Sequence, residues 1–141
     1  MNSRKALAET PILKTSCGPN ALAVIADALK AAWASATWVP ESVRNQIEIA
    51  VAEIAANIIE HAGRIHAATV QMQMRVLPNH VEVAFTDDGE HPGIDLDAVQ
   101  MPDELAERGR GLAMAKSLLA QLVYSRSEVG NHWTLVSRPF T

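Results

Sequence analysis

Midway along this chain the spacing of apolar residues changes from that of a helix to that of a strand, and this change limits the fold more than any other feature. Ile47, Val51, Ile54 and Ile58 recur three and four residues apart, as one stripe of a helix does. Val70, Met72, Met74 and Val76 instead alternate with Gln71, Gln73 and Arg75, the pattern of a half-buried strand. A helix that buries one stripe and a strand that buries one face satisfy each other by stacking in layers.

The surrounding punctuation extends this reading. Residues 9–16 read as a short first strand, and Gly18-Pro19-Asn20 opens an Ala-rich helix to about Ser35 with Leu22, Ile25 and Leu29 at helical spacing. Trp33, Trp38 and Val39 are expected to close that helix onto the core. Pro40-Glu41-Ser42 starts a second helix to Ala62, with Gly63 as its left-handed stop. The alternating strand spans residues 65–77, Pro78-Asn79 turns the chain, and Val81, Val83 and Phe85 face inward on a strand ending at Thr86-Asp87-Asp88-Gly89. A loop rich in Pro, Gly and Asp follows over residues 90–108, a length typical of functional lids. A third helix covers residues 110–120, and residues 122–127 and 132–137 form a closing hairpin. The expected architecture is an α/β sandwich: a mixed, mostly antiparallel sheet with helices on one face, in a single domain over residues 1–141.

Composition narrows the function classes. The chain has 141 residues, 48% hydrophobic and 20% charged, the balance of one globular domain. Its longest stretch without Asp, Glu, Lys or Arg, residues 15–26, falls short of the roughly 18 apolar residues that span a bilayer. The N-terminus has basic residues but no apolar core behind them, so no signal peptide is read and a cytoplasmic location is expected. Cys17 is the single cysteine, which excludes an internal disulfide and a cysteine-rich metal site. A net charge of −4 offers no footprint for nucleic-acid phosphates.

Three short motifs carry the candidate chemistry. Glu53, Asn57 and His61, each four residues apart, form a polar stripe beside the apolar one on the second helix. Asp87-Asp88-Gly89 ends a buried strand, where a carboxylate can accept a hydrogen bond from an exocyclic amine such as that of adenine. Gly93 adds a flexible point. Gly109-Arg110-Gly111-Leu112 opens the third helix, where unpaired N–H groups and the helix dipole attract phosphate. Each alone has a bland counterpart: a solvated helix face, an Asp-Gly turn, a tight turn before a helix. Neither GxxxxGK[ST] nor a strand-linked GxGxxG is present.

Their order is more specific. ExxxN on an early helix, DxG after a strand, a loop, then GxGL opening a helix resembles the N box and glycine boxes of the GHKL superfamily, from about Gln46 to the C-terminus. Within it, EIAVAEIAANIIEHA, VEVAFTDDG, ERGRGLAMAKSLL and GNHWTLVSR are similar to the anti-sigma factor serine kinases of the SpoIIAB and RsbW type. The resemblance implies the Bergerat ATP-binding fold, with Glu53 as catalytic base, Asn57 as magnesium ligand and Asp87 as the adenine-binding carboxylate. It assigns Gly89 and Gly93 to the adenine side, Gly109, Arg110, Gly111 and Leu112 to the phosphate side, and Arg108 to the terminal phosphate. His61 matches a common family residue at the helix end, and is equally a histidine favoured there by the helix dipole.

The resemblance further implies ATP and Mg²⁺ as cofactors. Its implied partners are an STAS-type antagonist phosphorylated on serine, a sigma factor and a second copy of the chain. Two departures stand out: Asp-Asp-Gly-Glu-His-Pro-Gly replaces the usual DxGxG, and Gly130-Asn131 stands where many relatives have Gly-Thr, which leaves the second adenine contact open. An ATP-holding module that switches partners without phosphotransfer is the alternative. A detached histidine-kinase catalytic domain would need a phospho-accepting His on a further long helix.

Overall fold

A computed structural model of the chain describes residues 8–9, 12–62, 68–89 and 110–141. The expected Gly63 stop, residues 65–67 of the expected strand and the loop 90–108 lie outside the described residues. Along the chain run β1 (Ala8–Glu9), β2 (Leu13–Ser16), α1 (Ala21–Ala32), a single 3-10 turn (Trp33–Ser35), α2 (Glu41–Ala62), β3 (Thr69–Val76), β4 (Val81–Asp87), α3 (Arg110–Leu118), β5 (Leu119–Ser127) and β6 (Gly130–Ser137). Among the described residues every strand pairing is antiparallel, in the order β1-β3-β4-β6-β5 with β2 also on β3.

The change of period does what the sequence implies. In β3 the burial alternates residue by residue, and Val70, Met72, Met74 and Val76 are the enclosed set. They share one core with Val81, Val83, Phe85, Trp133 and Leu135 of the sheet and with Ile25, Leu29, Ile47, Ala50, Ile54 and Ile58 of the helices. α2 packs on α1, α3, β4, β5 and β6. It is the central layer-forming helix. No helix among the described residues is long and apolar enough to cross a membrane.

Two expectations need correction. Trp38 is 41% exposed rather than closing α1 onto the core, whereas Trp33 and Val39 are buried. Trp33 turns inward because its indole N–H can donate to Glu48 Oε2 of α2 at 2.8 Å, which satisfies its polar edge. The third helix stops at Leu118 instead of residue 120, and β5 begins at once with Leu119. No breaker marks that point, because pairing with β6 overrides the helix propensity of Leu-Leu-Ala-Gln. The register shifts by one residue between Leu119 and Gln121, so a bulge absorbs the junction.

Candidate functional site

Strand register places the inward side chains in rows across the sheet. Met74, Val83, Leu135 and Leu122 form one row, and Met72, Phe85, Trp133 and Tyr124 the next. One step further the row reads Val70, Asp87, Asn131, Arg126. The face that meets the helices therefore turns polar at one end. Asp87 lies two residues beyond Phe85 and must point the same way, so the strand carries its carboxylate inside. Asp87 is 4% exposed and Asn131 2%.

These polar groups answer one another. Asp87 Oδ1 accepts from the Gly89 N–H and from Asn131 Nδ2, each at 2.9 Å. Asn131 Nδ2 also donates to the Gly89 carbonyl at 3.2 Å. On its other side Asn131 Oδ1 accepts from the Tyr124 hydroxyl at 2.5 Å and from Arg126 Nη1 at 2.9 Å. Arg126 Nη1 reaches the Gly89 carbonyl as well, at 3.2 Å. Nothing among the described residues bonds Asp87 Oδ2. Burial pushes the Asp87 carboxyl above the usual range, Asn131 and the Gly89 N–H pull it back, Asp88 adds to the rise, and Arg126 opposes it. Tyr124 is likewise raised, chiefly by burial, and its ring packs on Trp133 with centroids 4.8 Å apart.

The neighbouring carboxylate has a different task. Asp88 accepts from the Thr69 backbone N–H at 2.8 Å and from its hydroxyl at 3.4 Å, tying the end of β4 to the start of β3. Asp88 is thereby occupied as a structural clamp. Cys17, at the end of β2, has its thiol raised to about 11 by burial first and then by Asp87 and Asp88. It is a protonated thiol at neutral pH.

The polar stripe of α2 is not a solvated face. Glu53, Asn57 and His61 are all half-buried. A Cβ placed on Gly111, the second residue of α3, would fall on the Glu53 carboxylate, so α3 approaches α2 closely enough that any larger residue there would push this side chain aside. The carboxylate thus lies beside the first turn of α3, the positive end of that helix. Asn57 Nδ2 is enclosed and has no hydrogen-bond partner among the described residues. An enclosed amide left unpaired costs about 1–3 kcal/mol, a cost that a ligand or water can relieve.

Of the other residues singled out from the sequence, Gly89 is buried and engaged through both backbone groups, and Leu112 belongs to the hydrophobic core. Arg110 begins α3. Gly93, Arg108 and Gly109 lie outside the described residues. Sequence reasoning missed Tyr124 and Arg126 and treated Asn131 only as a departure. The available signal was the alternation Leu122, Tyr124, Arg126, whose apolar side ends in polar groups at the level of Asp87.

Comparison with known proteins is consistent with this geometry. Residues 16–137 match the model of the histidine kinase-like ATPase domain. No curated protein matches the sequence. Among solved structures, the chain is similar to the RsbU and RsbW domains of Rv1364c from Mycobacterium tuberculosis, with 21% identity, a TM-score of 0.60, and coverage of 92% of this chain and 33% of that one. It is also similar to the histidine kinase domain of the EL346 blue-light activated histidine kinase from Erythrobacter litoralis, with 24% identity, a TM-score of 0.52, and coverage of 70% and 46%. The chain therefore spans about a third and just under half of these two proteins, and the likeness is one of fold.

Proposed function

We propose, on the premise that this chain belongs to the histidine kinase-like ATPase domain family, that it binds ATP with Mg²⁺ and works as an anti-sigma factor with serine-protein kinase activity. The observation that carries the reading is the packing of Glu53 against Gly111, which joins the ExxxN stripe to the first turn of the GxGL helix. A carboxylate and a phosphate-attracting helix start are then neighbours.

In this reading Asp87 accepts the adenine amine, and the first turn of α3 with Gly109 and Gly111 receives the phosphates. Asn57 fits a magnesium ligand, since its carbonyl is a hard oxygen donor and its amide nitrogen is claimed by nothing else described. The bound ion supplies positive charge to the phosphate oxygens. Glu53 takes the proton of an incoming serine hydroxyl, and Arg108 offsets charge on the transferred group. Phosphoryl transfer asks for little covalent chemistry from the protein, so these few positioned groups suffice. The serine belongs to an STAS-type antagonist, and the competing partner is a sigma factor. This pairing and homodimerisation follow from the sequence resemblance.

Labelled ATP mixed with the protein and an STAS-type antagonist tests the reading. Wild type should transfer label to a serine, while Glu53→Gln should retain ATP and transfer roughly 10²–10⁴-fold more slowly, the usual worth of a general base. Equal rates in a single-turnover assay would remove Glu53 from the chemistry, and no transfer by wild type would sink the kinase assignment.

A further inference from the structure

The side-chain amide of Asn131 has every hydrogen-bonding position in use: two donors go to Asp87 Oδ1 and the Gly89 carbonyl, and two acceptor sites go to Tyr124 and Arg126. This settles its orientation. Reversing the amide would set its NH₂ against a hydroxyl and a guanidinium and its oxygen against a carboxylate. The position is also built in by the backbone. Gly130 has φ +134, and a Cβ there would strike the Asp87 backbone, so only glycine brings residue 131 this near to residue 87.

We infer that Asn131 is a positioning residue for base recognition, an adaptor whose amide joins Arg126 and Tyr124 to the Asp87 carboxylate and leaves Oδ2 as the single oxygen for the adenine amine. The inference rests on the proposed ATP site. A threonine ends one bond short of the amide's Oδ1 and Nδ2, and its single hydroxyl hydrogen cannot serve Asp87 Oδ1 and the Gly89 carbonyl together as the amide does. Asn131 turns two donors on β5 into one donor at the carboxylate. Arg126 therefore influences a base that it does not touch.

The coupling has a pH signature. Among the described residues, the charged and titratable groups facing Asp87 are Cys17 from the end of β2, Asp88 beside it on the chain, and Tyr124 and Arg126 from β5. Asn131 and Arg126 both act to keep the Asp87 carboxyl ionised. An ionised carboxylate accepts from the amine, and a protonated one does so poorly, so ATP affinity falls as pH drops through the Asp87 titration. Loss of Asn131 or Arg126 raises that titration further, and the acid fall-off moves to higher pH.

Calorimetry on the full chain, with Mg-ATP and with the triphosphate of purine riboside, which lacks the exocyclic amine, tests this across an acid-to-neutral pH series. Asn131→Ala should weaken ATP by roughly tenfold or more, the loss expected for a hydrogen bond to a charged group. Arg126→Gln, a change on an exposed side chain that should not disturb folding, should weaken it by roughly threefold or more through partly screened charge. Both should move the acid fall-off upward and leave the amine-free analogue unaffected. In an Asn131→Thr background, Arg126→Gln should have a smaller effect, since only its through-space charge then reaches Asp87. Equal losses on both nucleotides with an unmoved pH profile would overturn the inference, as would an undiminished Arg126→Gln effect in the Asn131→Thr background. Asp87→Asn, run alongside, separates the two levels: loss there without loss in the Asn131 and Arg126 variants overturns the coupling alone, whereas no loss in Asp87→Asn overturns the ATP-site reading beneath it.

Discussion

A methyl group added at Gly111 and one added at Gly130 meet different obstacles. At Gly111 the obstacle is the carboxylate end of Glu53, a flexible side chain that can swing aside. Alanine is also better than glycine inside a helix by about 0.5–1 kcal/mol. Gly111→Ala should therefore unfold within about 1 kcal/mol of wild type, by the same propensity scale, while losing phosphotransfer because Glu53 is displaced. At Gly130 the obstacle is the Asp87 backbone, and φ of +134 strains any other residue. Gly130→Ala should cost about 2–4 kcal/mol, backbone strain and collision together, measured as a lower denaturation midpoint. Equal stability losses at the two positions would contradict the geometry. At this scale the sequence revealed the residues that follow a motif, Glu53, Asn57 and Asp87, since spacing on a helix or strand decides which way they face. It concealed the division of labour between Asp87 and Asp88. That division depends on Thr69 and Asn131, which meet them only through strand pairing of residues distant in sequence.

Among the elements, α2 serves the core and the site with adjacent stripes. Ile47, Ala50, Ile54 and Ala55 are fully enclosed, while Glu53 and Asn57 beside them are half-buried. Truncating Ile54 to Ala removes buried methyl groups from the core stripe of α2 and should cost about 2–5 kcal/mol in chemical denaturation. A cost below about 1 kcal/mol, the range of a surface substitution, would show that α2 does not lie on the sheet as described. The bounds of α2 were readable because Pro40 marks its start and the apolar stripe persists to Ile58. The strands β3 and β4 were readable from strict alternation. The end of α3 was not, since Ala-Lys-Ser-Leu-Leu-Ala is locally a good helix and only pairing of β5 with β6 stops it at Leu118. Trp38 was misjudged for a related reason: hydrophobicity says that burial is favourable, not which of several apolar residues the packing will reach.

For the whole molecule, one antiparallel sheet, covered by helices on the face where Asp87 and Asn131 project, brings one end of that face and the α2–α3 contact into a single ATP-binding framework in the proposed reading. The fold was foreseeable from the order of periods, helix then strand, because two-layer packing is what such an order can bury. The proposed partner exchange belongs to this scale too, and in that reading it depends on nucleotide binding. Titration of Mg-ATP into wild type and Asp87→Asn by calorimetry examines that dependence directly. The account predicts one ATP per wild-type chain and an affinity lower by about 1–3 kcal/mol in the variant, from loss of the charged acceptor opposite the adenine amine. Equal affinities in the two proteins, or no binding by wild type, would contradict it.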